Sequence, residues 1–232
     1  MKLQPATLSR RQNHRLLIGA VCPRPIAFVS TLGPGGRTNL APFSFHGVLC
    51  GNPPIVYFSA GSKGEDRKDT VKNVEYQKEF VLNVLEERLV EAAVKASGNY
   101  EYGVSEIEVT GLTPVPSDLV KPPRIAESPI NMECRLMSIL QLGERTHYVV
   151  MGEVVLFHVR DEILVPGEEP GEVEIDVSKY GPIGRLNGDR FCRSLDIFER
   201  GAFMPPGGFY TAQSRSQIPS RPAPVPSSSG RT

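Results

Sequence analysis

The feature that most limits what this chain can fold into is the unbroken run His147-Tyr-Val-Val-Met-Gly-Glu-Val-Val-Leu-Phe-His-Val159, rich in β-branched residues and long enough to cross a curved sheet. Shorter runs of the same character precede it. Ile130-Asn-Met-Glu-Cys-Arg-Leu136 alternates apolar with polar, Phe80 to Leu85 reads as a buried strand, and Ile55 to Ser59 follows the punctuation of Pro53-Pro54. Ile26 to Thr31 and Leu40 to Phe45 flank the turn chemistry of Leu32-Gly-Pro-Gly-Gly-Arg37 and read as a hairpin-like pair. Many strands with few helices imply a barrel or a sandwich.

Two helices are expected. One starts at Asp69-Thr70, either of which can cap, and carries Val71, Val74 and Tyr76. The other spans Glu86 to about Ser97, with Leu89, Ala92, Ala93 and Ala96 at helical spacing and Gly98 as its stop.

Composition matters mainly for what it removes. A formal net charge of +0 gives no global field toward nucleic acid or anionic lipid, so neither is an expected partner. No apolar run approaches the roughly 18 to 20 residues of a membrane span, and MKLQPATLSRRQNHRLL is too polar for a secretory core, so a cytoplasmic protein is expected. Cys22, Cys50, Cys134 and Cys192 are widely spaced, with no CxxC and no histidine at zinc-site distance; reduced, structural thiols and no metal are expected. Residues 211–232, rich in Ser, Pro and Arg, lack an apolar face and are expected to be a disordered tail, leaving 1–210 as one domain.

The stretch SAGSKGEDRKDTVKNV, residues 59–74, gathers hydroxyls, glycines and the basic pair Arg67-Lys68 ahead of a helix start. A helix N-terminus offers unpaired N–H groups and roughly half a positive charge, so it accepts an anion readily. An ordinary solvated basic loop would read the same way. There is no GxxxxGK[ST], and Gly33-Pro-Gly-Gly36 fails GxGxxG because Thr38 stands at the last glycine, in a hairpin context.

Taken together, Arg24-Pro-Ile-Ala-Phe-Val-Ser-Thr31, Asn39-Leu-Ala-Pro-Phe-Ser-Phe45, Asn52-Pro-Pro-Ile-Val-Tyr-Phe-Ser59 and Arg67-Lys-Asp-Thr-Val-Lys-Asn73 resemble the flavin reductase-like, FMN-binding split-barrel family, which includes flavoredoxin-like proteins. Lys121-Pro-Pro-Arg-Ile-Ala-Glu-Ser-Pro129, Met132 to Leu136 and Gly152-Glu-Val154 extend the resemblance over about Leu16 to Phe203. It implies a mainly β fold with flanking helices, a six-stranded Greek-key split β-barrel, and a homodimer with FMN near the subunit interface.

On that resemblance Ser59, Arg67, Lys68 and Thr70 would hold the FMN phosphate. Thr31, Asn39, Leu40, Ala41, Ser44 and Phe45 would lie along the ribityl chain and ring. His147 and Arg185 would contact substrate, the latter in Tyr180 to Phe191, which locally reads as Asn187-Gly188 turn chemistry. The implied activity is NAD(P)H:flavin oxidoreduction, with hydride passing from a transient NADH or NADPH to flavin N5 and electrons passing on to a small-molecule acceptor or a partner monooxygenase. The alternative is a flavin-binding electron carrier without nicotinamide turnover. Neither requires a catalytic side chain, because the cofactor carries the chemistry.

Overall fold

Seven strands form one antiparallel sheet in the computed structural model, which describes residues 1–62, 64, 66–144 and 147–198. They are β1 (Ala27–Leu32), β2 (Thr38–Phe43), β3 (His46–Gly51), β4 (Pro54–Gly61), β5 (Glu79–Val84), β6 (Ile130–Leu142) and β7 (His147–Val159), in the order β2-β1-β5-β6-β7-β4-β3.

β2 and β3 occupy opposite edges of that sheet, yet only Ser44 and Phe45 separate them in the chain. The Ser59 N–H donates to the Phe45 carbonyl at 2.7 Å and continues the β3–β4 ladder into the break. One broken strand therefore runs from the β1 edge to the β4 edge, and the sheet must curl to let it do so. Counted by pairing there are seven strands; counted through the break there are the six expected of a split barrel.

Alternation sorts the two faces. In β4, Val56, Phe58 and Ala60 are buried while Tyr57 and Ser59 point the other way. Phe58 meets Phe43 at 4.8 Å and Phe80 edge-on at 5.4 Å, and these rings pack with Val29, Leu82 and Val150 in the barrel interior. Gly152 is required there, since a Cβ on it would stand 2.5 Å from Phe80 Cζ. β1 is buried on both faces: Phe28 turns outward into a second cluster with Ile26, Leu40, Leu89, Ala93 and Ile107.

Helices pack on both clusters. α2 (Asp69–Gln77) begins near the expected place, but Lys68 rather than Asp69 or Thr70 holds the cap; it sends Val71 and Val74 into the barrel core, and Tyr76 is exposed. α3 (Val90–Ala96) is shorter than the expected segment because Glu87–Leu89 coils as a tighter 3₁₀ turn. α4 (Glu106–Thr110) is brief, with Gly111 at φ 72° ending it. The polar opening forms α1 (Arg10–Ala20), capped by a reciprocal Ser9/Gln12 box. Arg24 binds α1 to the body, donating to the carbonyls of Ile18 (2.7 Å), Val21 (2.8 Å) and Leu186 (2.9 Å).

The turn expectations hold. Gly35 and Gly36 adopt φ of 75° and 78° between β1 and β2, and Gly188, at φ 61°, turns the hairpin of Ile183–Arg185 with Phe191–Arg193. All four cysteines are free, but only Cys134 lies in the core, where burial pushes its thiol pKa up. Among the described residues no helix is long and apolar enough to cross a membrane. The expected tail, 211–232, lies outside the described residues.

Candidate functional site

β2 sends Phe43 into the barrel core and Leu40 into the outer cluster, and it runs along a groove. Its narrow part is bordered by Asn39, Ala41, Pro42, Lys68, Thr70, Ser97 to Tyr100 and Glu106. Pro42 and Ser97 also border a wider part of about 360 Å³, whose walls include Ile26, Ser44, Ala93, Arg185 and Phe191. The groove thus lies between the start of α2 and the end of α3.

The start of α2 is chemically unusual. Lys68 occupies the N-cap, with no side-chain cap bond, and the N–H groups of Asp69 and Thr70 have no partner among the described residues. Ser, Thr, Asp or Asn normally fill that position, and a cation there faces the positive end of the helix dipole. Asp69 in the first turn offsets part of that charge. Thr70, 1% exposed, accepts from Asn39 Nδ2 at 3.0 Å, so its hydroxyl proton remains available to a further acceptor.

The other expected residues divide sharply. Thr31 is buried and accepts from Asn73 Nδ2 at 3.1 Å, holding α2 to β1. Leu40 has its side chain in the outer core, and its N–H donates to Glu106 Oε2 at 3.0 Å. Ala41 and Lys68 line the narrow part; Ser44 and Arg185 line the wide part, with the Arg185 guanidinium 4.5 Å from the Phe191 ring centre.

Arg67 does not line the groove. It pairs with Glu75 at 2.5 Å and lies 5.0 Å from the Tyr148 ring centre, so adjacency to Lys68 in sequence does not become adjacency in space. Ser59 lies on β4, away from the groove lining. Phe45 and His147 stack on each other at 6.2 Å and 16°, with His14 at 6.1 Å and the Arg24 guanidinium at 6.0 Å from the Phe45 ring. Burial holds the His147 imidazole below its ordinary pKa, reinforced by Arg10 and His14.

Sequence reasoning missed Glu106 and the Ser97–Tyr100 turn. The Ser105 and Gly111 that bracket α4 were the usable signal for Glu106; nothing local marks the turn residues. It also missed the Asp118, Glu133 and His158 cluster, whose oxygens and imidazole lie within 4.8 Å of one another. Glu133 is fully buried and takes hydrogen bonds from the N–H groups of Asp118 (2.8 Å), Leu119 (2.6 Å) and Val120 (3.1 Å) and from His158 Nε2 (2.6 Å). Burial pushes its carboxyl up, and these donors outweigh burial and leave it lowered.

Residues 18–167 match the flavin reductase like domain. The chain belongs to the flavin reductase-like family. A protein of Halalkalibacterium halodurans is 41% identical over 203 residues, covering 85% of this chain and 94% of its own length. Among solved structures, nitrilotriacetate monooxygenase component B from Bacillus cereus superposes with a TM-score of 0.80 at 32% identity, covering 86% of this chain and 98% of its own. Pseudomonas fluorescens 2-nitrobenzoate 2-nitroreductase NbaA gives 0.79 at 30% identity, with 90% and 100% covered. The fold is the split barrel, and the family's cofactor is a flavin.

Proposed function

We propose that this chain is an FMN-dependent NAD(P)H:flavin oxidoreductase, with the FMN phosphate at the start of α2 and the ring toward Ser44 and Arg185. The observation that carries the proposal is Lys68 at an uncapped helix N-terminus inside a groove. A phosphate there would accept from the first-turn N–H groups, Lys68 and Thr70, turning an unfavourable cap into a favourable one. Asn39 positions Thr70, and Glu106 fixes the β2 backbone beneath the ribityl path. The apolar Ile26, Pro42 and Ala93 would exclude water from one side of the ring.

Bound in this groove, the flavin supplies acceptance of a hydride from NADH or NADPH and onward electron transfer. The chain's own work is binding, orientation and exclusion of water, so no side-chain acid or base is assigned. A monooxygenase as the electron acceptor is supported by the name of the Bacillus cereus protein. A homodimer is supported by exposed Val48 and Leu49 on edge strand β3, which a second subunit would cover.

The test is anaerobic. Protein reconstituted with FMN should be yellow and bleach on adding NADH or NADPH. Binding without bleaching would leave the electron-carrier reading; failure to bind FMN would overturn both. Light scattering at micromolar concentration should give a dimer mass, and a monomer that holds FMN tightly would refute a role for the partner at the site.

A further inference from the structure

The two parts of the groove carry different charge. The narrow part sets Lys68 between the carboxyl groups of Asp69 and Glu106, whereas the charged residues bordering the wide part, among the described residues, are Arg185 and Asp189. That wide part, of about 360 Å³, is the one with room for a ring system, and much of its wall is apolar, from Ile26, Leu85, Val94 and Phe191.

Arg185 is fixed at this end. Its guanidinium stands 4.5 Å from the Phe191 ring centre, and its main chain exchanges two hydrogen bonds with Arg24, the Arg185 N–H donating at 2.8 Å and the Arg24 N–H at 3.0 Å. Residues paired in this way present their side chains to the same face, so a second guanidinium lies beside the first. Arg24 is buried, donates to the backbone carbonyls of Ile18, Val21 and Leu186, and keeps a buried Nε without a partner among the described residues. Burial holds its pKa below the ordinary value, and the Arg185 charge adds to that. The counter-charge is weak. Asp189 lies 3.5 Å from Arg185 with its side chain wholly exposed, and such a pair neutralises little. The ring end therefore holds an excess of positive charge against apolar walls, where a charge acts strongly.

Uptake of a hydride from NAD(P)H leaves NAD(P)⁺ and adds one negative charge to a neutral flavin ring. Resting on the flavin reading, we propose that Arg185, with Arg24 beside it, favours reduced over oxidised FMN and so raises the potential of the bound cofactor above what the same groove would give without that charge. The two ends of the groove then have separate tasks. Lys68 holds the phosphate in either redox form, and Arg185 distinguishes the forms.

The experiment measures the midpoint potential of bound FMN, by anaerobic reduction against a redox dye, and the dissociation constant of oxidised FMN. Both are taken on the native protein and on Arg185→Gln, Arg185→Lys, Asp189→Asn and Lys68→Ala. Arg185→Gln should weaken reduced FMN about tenfold more than oxidised FMN, which lowers the potential by about 30 mV for a two-electron couple. Arg185→Lys should keep most of the native potential, and Asp189→Asn should raise it by a smaller amount. Lys68→Ala should weaken both forms alike and leave the potential in place. FMN bound with an unmoved potential in Arg185→Gln, or an equal fall in Arg185→Gln and Arg185→Lys, would overturn the proposal while the flavin reading stands. Should Arg185→Gln fail to fold, Asp189→Asn decides, and no upward shift there overturns it. A native protein that binds no FMN overturns the flavin reading and this proposal with it.

Discussion

Two places in this molecule gather backbone N–H groups, and they are completed differently. At residues 118–120 the N–H groups converge on the buried Glu133 carboxylate, which the chain itself supplies from β6. At the start of α2 the chain supplies Lys68 instead, a cation where an anion belongs, and sets it in a groove. The first cluster is closed and holds a loop to the barrel. The second gains from an anion brought from outside, which is how a binding site differs from a structural nest made of the same backbone groups.

The largest effect should come from breaking the closed cluster. Glu133→Ala leaves buried donors without an acceptor and should cost about 3 to 5 kcal/mol in denaturant unfolding, while the ratio of FMN to riboflavin affinity stays as in the native protein. Gly152→Ala, which forces a methyl against Phe80, should cost about 1 to 3 kcal/mol and likewise spare that ratio. Either ratio moving would show that the two regions are coupled.

Breaking the open cluster should do the reverse. Lys68→Ala should weaken FMN by about tenfold to a hundredfold, riboflavin little, and stability hardly at all. Arg67→Ala should stay within about threefold for both ligands, because an exposed pair with Glu75 is worth little. Equal losses from the two substitutions would mean that Arg67 leaves Glu75 to reach the ligand.

The smallest effect concerns pH. Burial holds the His46 imidazole below its ordinary pKa, outweighing its hydrogen bond to the Tyr57 carbonyl. The unfolded chain therefore binds a proton near pH 6.5, about the ordinary histidine value, before the folded protein does. Stability should fall as pH drops through that value and level off once folded His46 is itself protonated. His46→Gln should reduce the slope without altering flavin affinity, leaving the share that the similarly lowered His147 contributes; a slope unchanged in the variant would assign it elsewhere.

What could be read from the sequence follows from how local each cause is. Apolar, β-branched runs marked β4 and β7, alternation marked β6, and glycine chemistry placed the β1–β2 turn. The break at Ser44-Phe45 was not legible, since both halves of that strand look alike and only their partners differ. At the site, Lys68 and Thr70 were visible as residue types at a helix start. That Arg67 turns to Glu75 depends on a side chain two turns along α2, and Glu133 is matched by N–H groups that carry no residue signature. α1 was overlooked because its polar surface hides a helix that only the Ser9/Gln12 box announces.

The central claim is that the start of α2 is completed by a ligand phosphate. The direct measurement is the dissociation constant of FMN against that of riboflavin, by flavin fluorescence, in native protein and in Lys68→Ala. FMN should bind the native protein about a hundredfold or more tightly than riboflavin, as expected for about 3 kcal/mol of charge-assisted bonds, and Lys68→Ala should remove most of that gap. Equal affinities in the native protein, or a gap that survives Lys68→Ala intact, would contradict it.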